Sequence, residues 1–403
     1  MAHNRHRHII EKFRHLRGFS PILGVFGHRQ VGKSTLIAQE IPDYRTLDDI
    51  ETLDFAARSP KEFTTLPRSG TLAIDECQLE PRLFPTLKER VRTNKRPGQY
   101  VLSGSVRFTS RKTIRESLAG RMALIELLPL TVAELAKLEF KHTIPDLMKH
   151  RSLGADSIRL LRHGAELRSL QRNLEVYLKN GGLPGLCFIR NAGLKRSALA
   201  DLHELILARD LRLVADIRTP VSTLRRLLIQ ISRNPLEPYN AAEVKRTLGL
   251  SSATQAKILF AMESVFLLRR IDIPRRRKFA VILEDQLEEA LLAGGDSNLL
   301  RSLETALHRN LRAQFEYSME SPWSVEIYLT RDGARVPLVF TSPENTLGVL
   351  PILGEKPSLA ELRSGASFLR NYASGKIIYA SALNLKPRCL DDRSLLCAAA
   401  SLL

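Results

Sequence analysis

Residues 27–34 read Gly-His-Arg-Gln-Val-Gly-Lys-Ser, the spacing of a loop that cradles phosphate. Gly27 and Gly32 allow a tight turn whose backbone N–H groups converge on phosphate oxygens. Lys33 is placed to reach the β- and γ-phosphates of a nucleotide, and the Ser34 hydroxyl to ligate Mg²⁺. His28, Arg29, Gln30 and Val31 complete the loop and Thr35 continues into a helix, so 27–35 is the expected nucleotide contact. An ordinary glycine-rich turn shares the composition but not the surroundings. Here Pro21-Ile22-Leu23-Gly24-Val25-Phe26 reads as a short buried strand, and Thr35-Leu36-Ile37-Ala38-Gln39 as a helix whose positive end faces the phosphates.

Three downstream segments supply partners. Thr71-Leu72-Ala73-Ile74 is an apolar strand ending in Asp75 and Glu76. Two carboxylates at a strand end can simply be solvated. Downstream of a phosphate loop, Asp75 is expected to hold Mg²⁺ through water and Glu76 to polarise the attacking water. Tyr100-Val101-Leu102 ends in Ser103-Gly104-Ser105, which puts Ser103 beside the γ-phosphate or at a plain strand-to-turn transition. Arg121, after Gly120, is either a structural arginine or one that contacts nucleotide in a neighbouring subunit and stabilises transition-state charge. Met122–Leu130 reads as a strand, and Thr131-Val132-Ala133-Glu134 as a capping box opening a helix.

The elements that must position these groups sit in a chain of 403 residues, long enough for two to four domains, with 44% apolar content. A net charge of +18 points toward a polyanion such as DNA. The cysteines Cys77, Cys187, Cys389 and Cys397 make no zinc or redox spacing, so a reduced, cytoplasmic protein is expected. No apolar run is long enough to span a membrane, and the basic start, with His3, His6 and His8, reads as a solvated segment rather than a leader.

The segments GHRQVGKST, YRTLDDIETLDFAARSPKEF, LAIDECQLEPRLFPTLKERV, RPGQYVLSGS and ESLAGR together resemble the bacterial and archaeal AAA-type ATPase family that carries a C-terminal domain of unknown function. Tyr177–Pro184, Leu207–Leu211 and Arg276–Gln286 extend the resemblance, which covers about residues 10–290 well and the remainder weakly. It implies an α/β protein: a P-loop AAA-type ATPase core at 1–135, a helical segment at 136–235, a winged helix at 236–290 and a nuclease-like domain at 291–403. It further implies ATP and Mg²⁺ bound by Lys33, Ser34 and Asp75, with Glu76 catalytic, Ser103 a sensor and Arg121 on the family's arginine. Arg209 lies where a second sensor could arise.

Within the winged helix, Thr223–Ser232, Ala241–Leu248 and Ser252–Phe266 read as three helices. Ile258, Leu259, Met262, Val265 and Phe266 form an apolar stripe that belongs to the core. Ser252, Thr254, Gln255 and Lys257 begin the other face, as major-groove readers often do. Leu267–Ile271 and Phe279–Leu283 pair as a hairpin with Arg275, Arg276, Arg277 and Lys278 near its tip, a duplex backbone clamp. Neutralising about four phosphates there sets a slope of log K on log salt of about −3.6. Packing against the ATPase core or another subunit is the competing use. The basic helix faces at 136–235, including Arg159, Arg162, Arg168 and Arg172, read as solvated.

In the C-terminal region, a helix near Leu299–Phe315 and strands near Ser324–Leu329 and Val336–Phe340 precede further helices. Glu304 matches the nuclease family's helical glutamate, but Pro337, Leu353 and Glu355 stand where Asp, Glu and Lys are expected. A metal nuclease needs clustered carboxylates, so an inactive, scaffold-like fold is expected, with a shifted register through Glu355-Lys356 as the exception. The resulting expectation is a cytoplasmic Mg-dependent ATPase, a homo-oligomer such as a ring, that couples hydrolysis to DNA remodelling or translocation on duplex or branched DNA. The alternative is an ATP-switched winged-helix regulator with slow hydrolysis.

Overall fold

The computed structural model describes residues 5–107, 118, 120–294, 298–319 and 322–403. Strands β1 (Ile22–Phe26), β2 (Tyr44–Thr46), β3 (Leu72–Asp75), β4 (Tyr100–Gly104) and β5 (Met122–Glu126) form an all-parallel sheet in the order β2-β3-β4-β1-β5. Strands β1, β3 and β4 are buried along their whole length. They read as unbroken apolar runs because helices cover both faces. The period of two still decides which side chain goes where. Leu23, Val25, Ala73 and Val101 pack with Phe13 and Leu36, while Ile22, Phe26, Ile74 and Leu102 pack with Phe84 and Leu87 on the other face. Parallel pairing gathers the ends of β1, β3 and β4 at one rim, where Gly27, Glu76 and Ser105 follow.

A second sheet of eight strands has the order β12-β13-β11-β10-β9-β8-β6-β7. It comprises β6 (Leu268–Ile273), β7 (Lys278–Leu283), β8 (Ser324–Leu329), β9 (Arg335–Thr341), β10 (Thr346–Ile352), β11 (Lys376–Ser381), β12 (Arg388–Asp391) and β13 (Ser394–Ala398). The hairpin β6–β7, expected as part of a winged helix, is an edge of this sheet, joined through Asp272 opposite Glu326 on β8. The sheet crosses the boundary expected at 290/291. The region after β10 also departs from expectation: beside the helix Leu359–Asn371 and a short 3-10 helix, Ala399–Leu402, it holds three strands. Ile377–Ser381 and Ser394–Ala398 are short buried runs that periodicity cannot distinguish from helix.

The helical segment divides between two cores. Leu170, Leu174 and Tyr177 pack with Leu303, Leu307 and Leu402, whereas Leu202, Leu207, Leu224 and Leu227 pack with Ile258, Leu268 and the strands of the first sheet. Two further expectations are corrected. The basic start is solvated only in part: His6 is exposed, but Arg7 and His8 are buried against the capping-box glutamate Glu134, and His3 lies outside the described residues. Arg162 is not on a solvated face either; it is 2% exposed and donates to the carbonyl oxygens of Leu403 and Glu139.

Candidate nucleotide site

The phosphate loop leaves β1 and enters the helix Lys33–Glu40 through Gly32 at φ +97°, a left-handed conformation that a side chain would strain. Gly27 is needed for space, since a Cβ there would lie 2.2 Å from the Leu127 carbonyl oxygen on the chain leaving β5. Val31 is buried beneath the loop, and Gln30 holds a positive φ of 62°. The Lys33 ammonium is buried and donates to the carbonyl oxygens of Gly27, at 3.1 Å, and His28, at 3.0 Å. Burial depresses its pKa, although the carboxylates of Glu76 and Asp75 oppose that. Ser34 and Thr35 begin the helix exposed at the mouth of the site.

Asp75 is the junction of three elements. Its Oδ2 accepts hydrogen bonds from Ser34 Oγ and Tyr44 Oη, each at 2.5 Å, and its Oδ1 accepts one from Ser103 Oγ. Burial would raise its pKa, but these three donors and the Lys33 charge outweigh it and hold the carboxyl below its ordinary value. Glu76 departs from the strand at φ 52°. Its Oε2 accepts from Gln78 Nε2, with Ser105 Oγ at 3.4 Å. Burial raises its pKa, helped by Asp75 and opposed by Lys33. One carboxylate kept ionised and charged beside another poised as a base is a useful pairing for hydrolysis. Sequence reading missed Tyr44, which no motif signals by itself, because only pairing of β2 with β3 brings Thr46 opposite Asp75 and Tyr44 within reach.

Three contacts tie the loop to distant parts of the chain. Arg29 makes a bidentate pair with Asp210, at 2.9 and 3.2 Å. His28, 1% exposed, lies with its Nε2 3.3 Å from Glu288 Oε1, close enough for an ion pair but without hydrogen-bond alignment. His203 Nε2 meets the same oxygen at 2.9 Å. Arg209 is exposed beside Asp210, away from the pair that Asp210 makes. Beneath the loop, a Cβ at Gly182 would lie 2.2 Å from the Leu130 carbonyl oxygen, and Asp285 accepts the backbone N–H groups of Gly182 and Leu183. The glycine pair before Pro184 thus allows the Asp285 turn to dock against the ATPase core.

The His28–Glu288 pair has a definite pH signature. Burial opposes ionisation of both groups, yet their mutual attraction wins: His28 is raised above its ordinary value and Glu288 is held at about 2. The Glu288 contribution is complete above the ordinary carboxylate value and fades as pH falls toward 2. The His28 contribution is complete below about pH 6.5 and fades as pH rises through its higher folded-state value. Neighbouring Asp285, pushed up to about 6 by burial and by Glu288, loses stability between its ordinary value and 6. Glu288→Gln should therefore lower the melting temperature most near pH 5–6, with the deficit shrinking at pH 3 and at pH 9. A deficit independent of pH would contradict the charged pair.

Arg121 immediately precedes β5, whose Met122 lies opposite Ile22 at the start of β1, whereas the phosphate loop leaves the far end of β1. Five residues of strand put it about 15 Å from its own phosphate site. The segment 108–117 and Ala119 lie outside the described residues.

The expected DNA-contact residues are not gathered on one face. Gln255 is 2% exposed; its Nε2 donates to the carbonyl oxygens of Ala241 and Leu250, and its Oε1 accepts from Tyr239. It braces the helix-turn-helix from inside. Ser252 is exposed, Thr254 is half-buried against Ser251, and Lys257 donates to the Asp216 carbonyl oxygen. At the hairpin tip the Arg275 guanidinium lies 5.2 Å from the Tyr328 ring centre and 5.9 Å from that of Tyr372, and Arg276 donates to the Thr330 carbonyl oxygen. Arg277 and Lys278 are exposed. In the C-terminal sheet Glu304 is buried and neutralised by Arg335, at 2.6 and 2.9 Å, and Arg301, at 3.0 Å. Glu355 and Lys356 are exposed past the end of β10. Among the described residues no group of three or more His, Cys, Asp or Glu could hold a metal ion, and no helix is long and apolar enough to cross a membrane.

Comparison with known proteins gives an AAA domain over residues 20–136. An uncharacterized protein of Mycobacterium tuberculosis and its counterpart in Mycobacterium bovis are each 26% identical over 256 residues, 62% of this chain and 50% of theirs. The chain thus spans about half the length of the curated relatives it matches. Among solved structures, a Walker-type ATPase of Pyrococcus abyssi aligns over 70% of this chain and 94% of its own, at 13% identity and a TM-score of 0.36. A signal-transduction ATPase with a tetratricopeptide repeat sensor from Pyrococcus horikoshii aligns over 75% of this chain and 44% of its own, at 11% identity and a TM-score of 0.27.

Proposed function

From the premise that residues 20–136 form an AAA-type P-loop ATPase domain, we propose that the protein hydrolyses ATP with Mg²⁺ and couples the nucleotide state to DNA bound by its winged-helix module. The observation that carries the hydrolytic part is the Asp75 carboxylate, shared by Ser34, Tyr44 and Ser103, with the poised Glu76 beside it. The triphosphate lies on the N-terminus of the helix Lys33–Glu40. Lys33 leaves the two loop carbonyls and turns to the phosphates. Ser34 would ligate Mg²⁺ and Asp75 would hold it through water, a donor set of hard oxygens that suits this ion. When bound, Mg²⁺ neutralises charge on the β- and γ-phosphate oxygens. Glu76, steadied by Gln78, orients the water for in-line attack and draws off its proton. Ser103 keeps Asp75 aligned.

Arg121 lies too far from its own loop to act there, so its proposed role is in a neighbouring copy, within a homo-oligomer or ring. DNA contact rests on the +18 charge and on the exposed Ser252, Arg277 and Lys278, with Thr254 and Lys257 at the margin. Arg275 and Arg276 are engaged within the chain, which leaves two free cations at the tip. The salt slope of DNA binding from the wing is then about −1.8 rather than −3.6. The free thiols of all four cysteines suit a reducing, cytoplasmic setting.

A second reading is favoured by ties that join the phosphate loop and elements near it to the winged-helix module. These are His28 to Glu288, Gly182 and Leu183 to Asp285, and Arg107 to the Glu263 and Ser264 carbonyl oxygens. Such ties suit a nucleotide-operated switch with slow hydrolysis. Turnover of ATP with and without duplex, forked, junction and single-stranded DNA separates the two. Stimulation by one form, lost in Lys33→Ala, supports coupled work on that DNA. Turnover indifferent to every form, with binding intact, supports the switch. No binding to any DNA, with turnover intact, overturns both.

A further inference from the structure

Arg29 lines the cavity at the phosphate loop together with Lys33, Ser34, Asp48 and Glu76, yet its guanidinium is engaged by a residue far along the chain. Its Nε and Nη2 donate to the Asp210 carboxylate, while Nη1 has no hydrogen-bond partner among the described residues. We propose that Arg29 is the arginine that meets the γ-phosphate of the chain's own nucleotide, and that Asp210 holds it in reserve until a triphosphate binds. The inference rests on the nucleotide-binding reading above. It adds a residue that tells ATP from ADP and the element that feels the difference. Arg29 acts within one chain, unlike the part proposed for Arg121.

Place is the first support. Arg29 belongs to the loop itself, and the carboxylates of Asp210, Glu76 and Asp48 all act on its charge. Asp210 acts on the Lys33 charge as well, so the pair lies against the phosphate position. An arginine that feels Glu76 stands on the side of the site where water attacks. A guanidinium grips phosphate oxygens with the same two-pronged geometry that it uses on a carboxylate, so a γ-phosphate competes with Asp210 on equal terms.

The pair is also asymmetric. The Arg29 side chain is 18% exposed, that of Asp210 only 2%. Arg29 is the one hydrogen-bond partner of the Asp210 carboxylate among the described residues. The arginine can turn to a ligand, whereas the carboxylate cannot reach water unless its helix moves. A buried carboxylate without its cation is strongly unfavourable, so departure of Arg29 obliges the segment around Asp210 to shift.

That segment is built to register the shift. Ile206–Asp210 is a π-helical turn between the helices Ala192–Leu205 and Leu211–Val214. Such turns are rare and recur at functional sites. Here the turn buries Asp210 while leaving Arg209 exposed. Ile206, Leu207 and Leu211, on and beside it, share one core with Leu224, Leu227 and Ile258 of the helices Val221–Arg233 and Ser252–Ser264. A movement of the turn is passed to those helices by direct packing.

In the reaction the water oxygen bonds to the γ-phosphorus as the bond from that phosphorus to the bridging oxygen breaks. The electron pair stays with the departing ADP oxygen, and the water proton goes to Glu76. Arg29 neutralises charge on the γ-phosphate oxygens throughout and returns to Asp210 when inorganic phosphate leaves.

Titration of the full chain with ADP and with a non-hydrolysable ATP analogue, beside single-turnover hydrolysis, tests this. Arg29→Ala should bind ADP within about threefold of wild type and hydrolyse ATP about 10³ times more slowly, the low end of what a transition-state arginine supplies. Asp210→Asn should act in the opposite sense, releasing Arg29 and raising the preference for the analogue over ADP about tenfold. Hydrogen exchange over residues 206–214 should quicken with the analogue but not with ADP in wild type, and respond to neither in Arg29→Ala. Mixing Arg29→Ala with Lys33→Ala, which keeps Arg29 but cannot hold nucleotide, should not restore turnover; restoration would place Arg29 in a neighbouring copy's site and overturn the proposal. If Arg29→Ala and Asp210→Asn lose analogue affinity and turnover alike, the pair is a strut that shapes the loop, and the proposal is again wrong. Retained ADP binding shows that each variant is folded. Should Arg29→Ala not bind ADP, Arg29→Lys, which keeps the charge and loses the fork, carries the same comparison with a smaller loss. If wild type binds neither ADP nor the analogue, or Lys33→Ala binds both as wild type does, the nucleotide reading itself fails and takes this inference with it.

Discussion

Glu76→Gln should retain ATP with near wild-type affinity and turn it over about 10²–10³ times more slowly, the share that general-base assistance contributes. Glutamine keeps the length of the side chain and an oxygen to accept from Gln78, so the pocket is preserved while the ability to take a proton is lost. Lys33→Ala should instead lose binding and turnover together, because Lys33 meets the phosphates before as well as during reaction. Burial raises the Glu76 pKa, so wild-type turnover should climb with pH through a carboxyl titration displaced above the ordinary glutamate value. That limb should vanish in Glu76→Gln. Single-turnover rates and an ADP titration on the same preparations check both halves. Equal loss of affinity in Glu76→Gln and Lys33→Ala would show Glu76 to be a structural carboxylate.

Much of this site is legible in the sequence because each of its parts is local. A phosphate loop is specified by glycines at fixed offsets, and acids ending a buried strand can be read within six residues. What was illegible is whatever long-range packing decides. Tyr44 joins Asp75 only because β2 pairs with β3. Arg7 looks like part of a solvated basic start until Glu134, 127 residues on, is folded beside it. Gln255 carries a side chain suited to reading a base edge, yet its amide satisfies the backbone of the turn before its own helix. A polar residue type says that a hydrogen bond is wanted, and tertiary structure decides whether water, backbone or ligand provides it. The same limit applies to the hairpin β6–β7. Its apolar pattern predicts a hairpin correctly, but an edge strand is silent about which sheet it will extend.

The motifs that join the ATPase domain to the rest also have a physical reason to occur together. Gly181 and Gly182 leave room for the Asp285 turn; Glu288, one helical turn later, meets His28 of the phosphate loop. Glu284, just before Asp285, enters a charged cluster under β5. These links join residues 284–288 to the phosphate loop and the glycine pair beside it, a contiguous path along which the proposed coupling would run without a flexible hinge.

That cluster is where a single substitution should cost most stability. Glu284 is 2% exposed and pairs with Arg269 at 2.9 Å and Arg312 at 2.8 Å. Glu126, at the end of β5, pairs with Arg107 at 3.0 Å and also with Arg269. Burial opposes the charge on Glu284, but Arg269 and Arg312 overwhelm it and hold the carboxyl well below its ordinary range. His308, buried alongside these arginines, is held neutral by burial and by their charge. Glu284→Ala would leave two guanidiniums buried with only Glu126 to answer them. Removing one partner of a buried pair costs about 3–5 kcal/mol, and in a protein of 403 residues the melting temperature should fall by about 4–6 °C. Replacing Glu284, Arg269 and Arg312 together by apolar residues of similar volume should recover much of that loss, since the penalty lies in the uncompensated charge rather than in the absence of the pair. The cluster spans the ATPase sheet, the hairpin and the helix Leu299–Glu316. The single variant should therefore also separate one thermal transition into two, seen by calorimetry, as the ATPase domain and the C-terminal sheet lose their shared rivet. A single transition shifted by less than about 2 °C would mean that water already solvates these charges and that the three elements are held together by apolar packing alone.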